Sequence, residues 1–161
     1  MADNKIGPDI PSPDPALRRL ERLVGVWEMK GRPVGAAEDT ITGMTTFKWL
    51  GHNGSSFFLQ QDMDMDYDGL PIKSHELIGF SPKMKTFAST VYSNMSPEPL
   101  PYQWDIQGDS ITIAVKYGAM DAKFTGTFAA DGRSFSGGWR PNPGADPAIN
   151  APYDITASRI G

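Results

Sequence analysis

Between residues 26 and 159 the chain alternates apolar with polar or small residues, and turn signals cut the alternation at roughly the spacing of an all-β domain. That rhythm constrains the fold more than any other feature. The clearest run is 56–67, where Leu59, Gln61, Met63, Met65 and Tyr67 fall on one face and Gln60, Asp62, Asp64 and Asp66 on the other. Gly51-His52-Asn53-Gly54, Asp68-Gly69, Gly108-Asp109 and Asp131-Gly132 are hairpin signals. About ten strands are predicted: 26–30, 38–50, 56–67, 72–80, 86–93, 102–107, 111–117, 123–129, 133–140 and 153–159. Short hairpins in series cannot make parallel pairs, so the sheet is an antiparallel meander. A meander this long leaves exposed edges unless it closes into an up-and-down barrel. The expected fold is therefore all-β: one barrel domain over 14–161, preceded by a flexible arm over 1–13 with three prolines.

One helix is predicted. Asp14 is its N-cap, Pro15 its first residue, and Gly25 its end. Leu17, Leu20, Leu23 and Val24 share a face, which suits a segment that plugs or flanks one end of a barrel.

Composition narrows the function classes. With 161 residues and no cysteine, disulfides, thiolate catalysis and thiolate-bound metals are excluded. A formal net charge of −4 without a Lys/Arg cluster argues against nucleic acid and anionic membranes as partners. No apolar run is long enough for a bilayer, and the opening residues lack a secretory h-region, so the expected location is cytoplasmic. The partners that suit such a chain are a small hydrophobic or aromatic molecule and a second copy in a homodimer.

Leu23-Val24-Gly25-Val26-Trp27 resembles the Gly-x-Trp opening strand of lipocalins and other calycins. In those barrels the tryptophan closes one end and an arginine of the last strand lies across it; here that arginine is Arg159. The longer order is Asp14-Pro15-x-Leu-x-x-Leu, Phe57-Phe58-Leu59, Glu76-Leu77-Ile78-Gly79-Phe80-Ser81-Pro82, Gly126-Thr127-Phe128, Asp131-Gly132-Arg133, Gly138-Trp139 and Tyr153-Asp154-Ile155-Thr156. It resembles a bacterial lipocalin-like (calycin) family catalogued as domain of unknown function 1579. The resemblance implies a barrel with an interior pocket and no particular activity. A histidine is common in such sequences where this chain has Gln61, so a ligand or base role does not carry over there. Haem occurs in some ten-stranded barrels of this kind but needs an axial histidine late in the chain. None follows His75, and no cofactor is expected.

Asp62-x-Asp64-x-Asp66-x-Asp68-Gly69 mimics the start of a calcium loop from Asp64 onward. The twelfth position is His75 rather than a glutamate, no helix flanks it, and carboxylates two apart on a strand are about 7 Å apart. A solvated acidic face fits better, and no metal site is expected. No His-x-x-x-His or Gly-x-Ser-x-Gly is present either.

Along 72–80, Lys73 and His75 mark the outer face, which turns Glu76 inward with Ile78 and Phe80. A carboxylate on an apolar face must find donors or gain a raised pKa. The donors that suit it are Gln61, a tyrosine or a ligand group. The candidate ligand-binding residues are Phe47, Trp49, Gln61, Met63, Glu76, Tyr102, Trp104 and Trp139. Three functions remain open. One is binding of an apolar or aromatic small molecule in the barrel. Another is cofactor-free proton-transfer chemistry (an isomerase, cyclase or lyase) with Glu76 as general base and Tyr92 or Tyr102 as hydrogen-bond donor. The third is a plain structural or interaction module with a filled barrel.

Overall fold

In the computed structural model, residues 8–51 and 56–161 are described. The hairpin predicted at Gly51-His52-Asn53-Gly54, and the first part of the predicted arm, lie largely outside them; residues 8–13 belong to no helix or strand.

Ten antiparallel strands close into a barrel: β1 (Gly25–Pro33), β2 (Ile41–Leu50), β3 (Phe58–Tyr67), β4 (Leu70–Ser81), β5 (Thr86–Ser93), β6 (Leu100–Gln107), β7 (Ser110–Tyr117), β8 (Met120–Phe128), β9 (Ser134–Pro141) and β10 (Tyr153–Arg159). Each strand pairs with its neighbours in sequence, and β1 closes the ring against β10 with Trp27 opposite Arg159. The backbone N–H of Val26 donates to the Gly161 carbonyl at 2.7 Å, and that of Ile160 to the Val26 carbonyl at 2.8 Å. The predicted turn at Asp68-Gly69 is tight, with φ of 50° and 92°, the left-handed pair that a two-residue hairpin needs.

The leading helix spans Pro15–Leu23 and is a 3₁₀ rather than an α-helix. Its leucines explain this: a repeat of three residues per turn stacks Leu17, Leu20 and Leu23 in one line, and all three are buried. Asp14 accepts from the Ala16 amide at 2.9 Å, as its N-cap role requires. The leucines join Trp27, Phe87, Ile106, Ile111, Phe128 and Phe135 in a packed core that seals this end of the barrel.

Arginines fasten the plug. The guanidinium of Arg159 lies 4.2 Å from the Trp27 ring centroid and donates to the carbonyls of Arg22, at 2.8 Å, and Val24. Arg22 covers Phe128 at 4.1 Å, and Arg19 covers Phe87 at 4.9 Å. The predicted Trp27–Arg159 contact is thus present, and the ring of strands fits a calycin-like fold. Opposite each other in β8 and β9, Gly126 and Gly137 admit the Phe124 ring; a Cβ on Gly137 would stand 2.2 Å from the Thr125 carbonyl oxygen. No described helix is long and apolar enough to cross a membrane.

Candidate functional site

Away from the helix, Gln61, Met63, Tyr67, Tyr102, Trp139, Tyr153 and Ile155 lie on inward faces by strand alternation and are partly buried, beside the fully buried Ile41, Met65, Leu100 and Val115.

Glu76 is the buried carboxylate of the barrel interior. As expected, β4 turns it inward, and it is 5% exposed. Its donors are not Gln61 but Ser89, whose hydroxyl donates at 2.5 Å, and Trp104, whose indole N–H donates at 2.7 Å. Gln61 sits directly opposite Glu76 in register but donates instead to the Thr45 hydroxyl at 2.9 Å. Both bonds to Glu76 fall on Oε2. Oε1 receives none of the described hydrogen bonds, and no fully buried polar side-chain atom among the described residues lacks a partner. Oε1 is therefore not fully sealed from solvent. Burial pushes the Glu76 pKa up to about 7, against the lowering effect of the Ser89 and Trp104 bonds.

Aromatic rings pack on one another in the same half of the barrel. Tyr102 packs on Trp139 at 5.9 Å between centroids, Trp139 on Phe124 at 5.8 Å, and Tyr67 on Tyr153 at 5.2 Å. Burial, then the Glu76 charge, pushes the Tyr102 hydroxyl up to about 12. The Tyr153 hydroxyl is also raised, chiefly by burial and further by Tyr102 and Tyr67. Glu76, Tyr102, Tyr153 and Tyr67 thus form a run of electrostatically adjacent groups. Like Oε1, the Tyr102 and Tyr153 hydroxyls have no described hydrogen bond and are not sealed from solvent.

Three expected site residues are placed elsewhere. Tyr92 is corrected outright: β5 buries Phe87, Ser89 and Val91, so Tyr92 falls on the outer wall, 53% exposed, opposite His75. Trp49 lies at the plugged end, donating to Glu21 at 2.7 Å. Phe47 is fully packed beneath the site, edge-on to Trp104 at 6.3 Å. Glu76 meets Trp104 and stands opposite Gln61 in register, Tyr102 packs on Trp139, and Met63 lies two residues along β3 from Gln61. Tyr67 and Tyr153 were missed, although each is an inward position at the end of its strand away from the helix.

The acidic run of β3 faces outward and is engaged across strands. Asp62 meets His75 Nδ1 at 2.7 Å, Asp64 meets Lys73 at 3.3 Å, and Asp66 caps the Gly69 amide at 2.8 Å. Two grooves indent the outer wall, one over β2–β5 and one over β1, β8, β9 and β10. Their charged walls are largely paired already, as in Arg140–Asp154 at 2.7 Å and Arg32–Asp39 at 2.8 Å. No group of three or more His, Asp or Glu residues among those described is placed to hold a metal ion.

The family described as "Protein of unknown function (DUF1579)" matches residues 12–132, and the chain belongs to it. No curated protein matches. Among solved structures, that of Rv2717c from M. tuberculosis is similar at 15% identity, with a TM-score of 0.56 over 92% of this chain and 99% of that one. At that identity the likeness concerns the fold alone.

Proposed function

We propose that this DUF1579 protein is a lipocalin-like barrel that binds a small apolar or aromatic molecule in the half of its interior opposite the helix. One observation carries the reading: on inward faces away from the helix, one oxygen of buried Glu76 and the hydroxyls of Tyr102 and Tyr153 have no described hydrogen bond and are not sealed from solvent, and aromatic rings pack beside them. Apolar walls with a few convergent polar groups are the usual make-up of a ligand site. The Ser89 and Trp104 bonds hold the carboxylate in place, so its position is set before anything binds.

A second reading, an isomerase, cyclase or lyase, draws on the near-neutral pKa of Glu76, which suits a general base. Tyr102, protonated throughout the neutral range, would then be the hydrogen-bond donor. Tyr92, on the outer wall, has no part in it.

Titration with the neutral fluorescent probe N-phenyl-1-naphthylamine tests the binding reading. Saturable binding of one probe per barrel is expected, weakened at least tenfold by Met63→Trp, which fills the half away from the helix, with the fold checked by circular dichroism. Unsaturable binding, or binding indifferent to the filled variant, would overturn it. Native mass spectrometry of the purified protein then looks for the natural occupant.

A further inference from the structure

Glu76 is an anion-forming group without a counter-ion. The inward faces away from the helix carry no lysine, arginine or histidine among the described residues: Lys73 and His75 turn out from β4, Lys30 from β1, Lys48 from β2, Lys116 from β7, and Lys123 from β8. Arg159, the one inward arginine, is held at the plugged end against Trp27. The titratable groups on these inward faces are phenols: Tyr102 from β6, which feels the Glu76 charge, and beyond it Tyr153 from β10 and Tyr67 from β3. From β5, Ser89 contributes a hydroxyl, and from β6 Trp104 contributes an indole N–H. Both donors are spent on Oε2, and Oε1 receives none of the described hydrogen bonds and is not sealed from solvent.

A site made of one carboxylate oxygen and several aromatic faces has a definite electrostatic complement. Ring faces carry the negative end of the aromatic quadrupole and attract a cation within about 6 Å of the centroid. Phenol oxygens accept from N–H donors, and the carboxylate supplies full charge. We infer that the half of the barrel away from the helix selects an organic cation, a protonated amine on a small apolar or aromatic body. Glu76 is its counter-ion, and Tyr102, Trp139 and Tyr153 are the rings around it. The inference rests on the interior binding reading above and adds the ligand's charge to it.

The pH dependence has a sign that separates the ligand classes. An ammonium ion binds the ionised carboxylate, so its affinity rises with pH through the Glu76 titration; with a pKa of about 7, the change from pH 6 to pH 8 is about tenfold. A carboxylate ligand must shed its affinity in the same direction, because it needs Glu76 protonated. A neutral ligand has no such charge term.

The experiment is a tryptophan-fluorescence titration with 2-phenylethylamine, 2-phenylethanol and 3-phenylpropionate, each to millimolar concentration at pH 6 and pH 8. The amine is expected to bind tightest at pH 8 and to lose about tenfold at pH 6. Glu76→Gln is expected to abolish that pH dependence and to remove the preference for the amine over the alcohol. The wild-type pH profile stands as a test even if the variant folds poorly. Tighter binding of the alcohol or the carboxylate overturns the charge assignment and leaves the interior pocket standing. Failure of all three to bind, while N-phenyl-1-naphthylamine still does, overturns the charge assignment too. Failure of the naphthylamine as well removes the pocket.

Discussion

Replacing Glu76 with glutamine should change how stability depends on pH, because the folded state holds this carboxyl's proton more tightly than the unfolded chain does. Its pKa moves from 4.5 to about 7 on folding. Between those values the folded protein keeps a proton that the unfolded chain has released, so stability falls as pH rises from about 4.5 to about 7 and levels off above. A difference of about 2.5 pKa steps at 1.36 kcal/mol each corresponds to about 3 kcal/mol, most of it developed between pH 5 and pH 8. Glutamine preserves an oxygen for Ser89 and Trp104 and does not titrate. Urea unfolding of both proteins at fixed ionic strength isolates the effect, since every other titrating group is common to the two. The variant should match wild type at pH 5 and exceed it by about 2–3 kcal/mol at pH 8, several degrees in Tm for a domain this size. A stability difference that is the same at both pH values would refute the reasoning. A wild type that gains on the variant toward pH 8 would mean that a cation already compensates Glu76.

Arg159→Met removes the guanidinium from Trp27 together with its bonds to the carbonyls of Arg22 and Val24, and should cost about 2–3 kcal/mol. Equilibrium denaturation measures this, and a loss below about 0.5 kcal/mol would show that the plug needs no such fastening. Calcium should leave Tm unchanged, because Asp62, Asp64 and Asp66 are engaged by His75, Lys73 and the Gly69 amide. A binder at 100 times its Kd would add about 2.7 kcal/mol, and a shift of that size abolished by Asp64→Ala would sink the solvated-face reading.

Within a strand the sequence was easy to read; between strands it was not. The alternation of β3 sorted Leu59, Met63 and Met65 from the aspartates, and Lys73 with His75 identified the outer face of β4, which put Glu76 inside. Both rest on charged residues that mark the solvent side. β5 has no such mark: Thr86-Phe87-Ala88-Ser89-Thr90-Val91-Tyr92-Ser93 reads as moderately apolar on both faces, and only the parity of Phe87 and Val91 reveals that Tyr92 points out. The partners of Glu76 depend on the registers of β4 with β5 and of β5 with β6, which bring Ser89 and Trp104 from 13 and 28 residues away. Those registers follow from turn geometry and core packing, which a single sequence does not display. Tyr153 and Tyr67 meet because closure carries the far end of β10 near that of β3, a neighbourhood created by the ring as a whole. The 3₁₀ plug was legible in hindsight: a leucine spacing of three throughout, never four, is its mark.

The pairing of β1 with β10 has a consequence for how the protein is made. Synthesis delivers β1 first and its closing partner last, with nearly the whole chain between them, so the contact that completes the ring is also the most distant in sequence. Until then the growing sheet carries a free edge on β1, open to pairing with other chains. Arg159, which pins the plug, arrives with the final strand. The helix core therefore cannot be locked before the last strand docks, and a nascent barrel stalled short of it would be an open, adhesive sheet. Glu28 and Lys30, charged and exposed on β1, stand where they would discourage such pairing while the ring is incomplete.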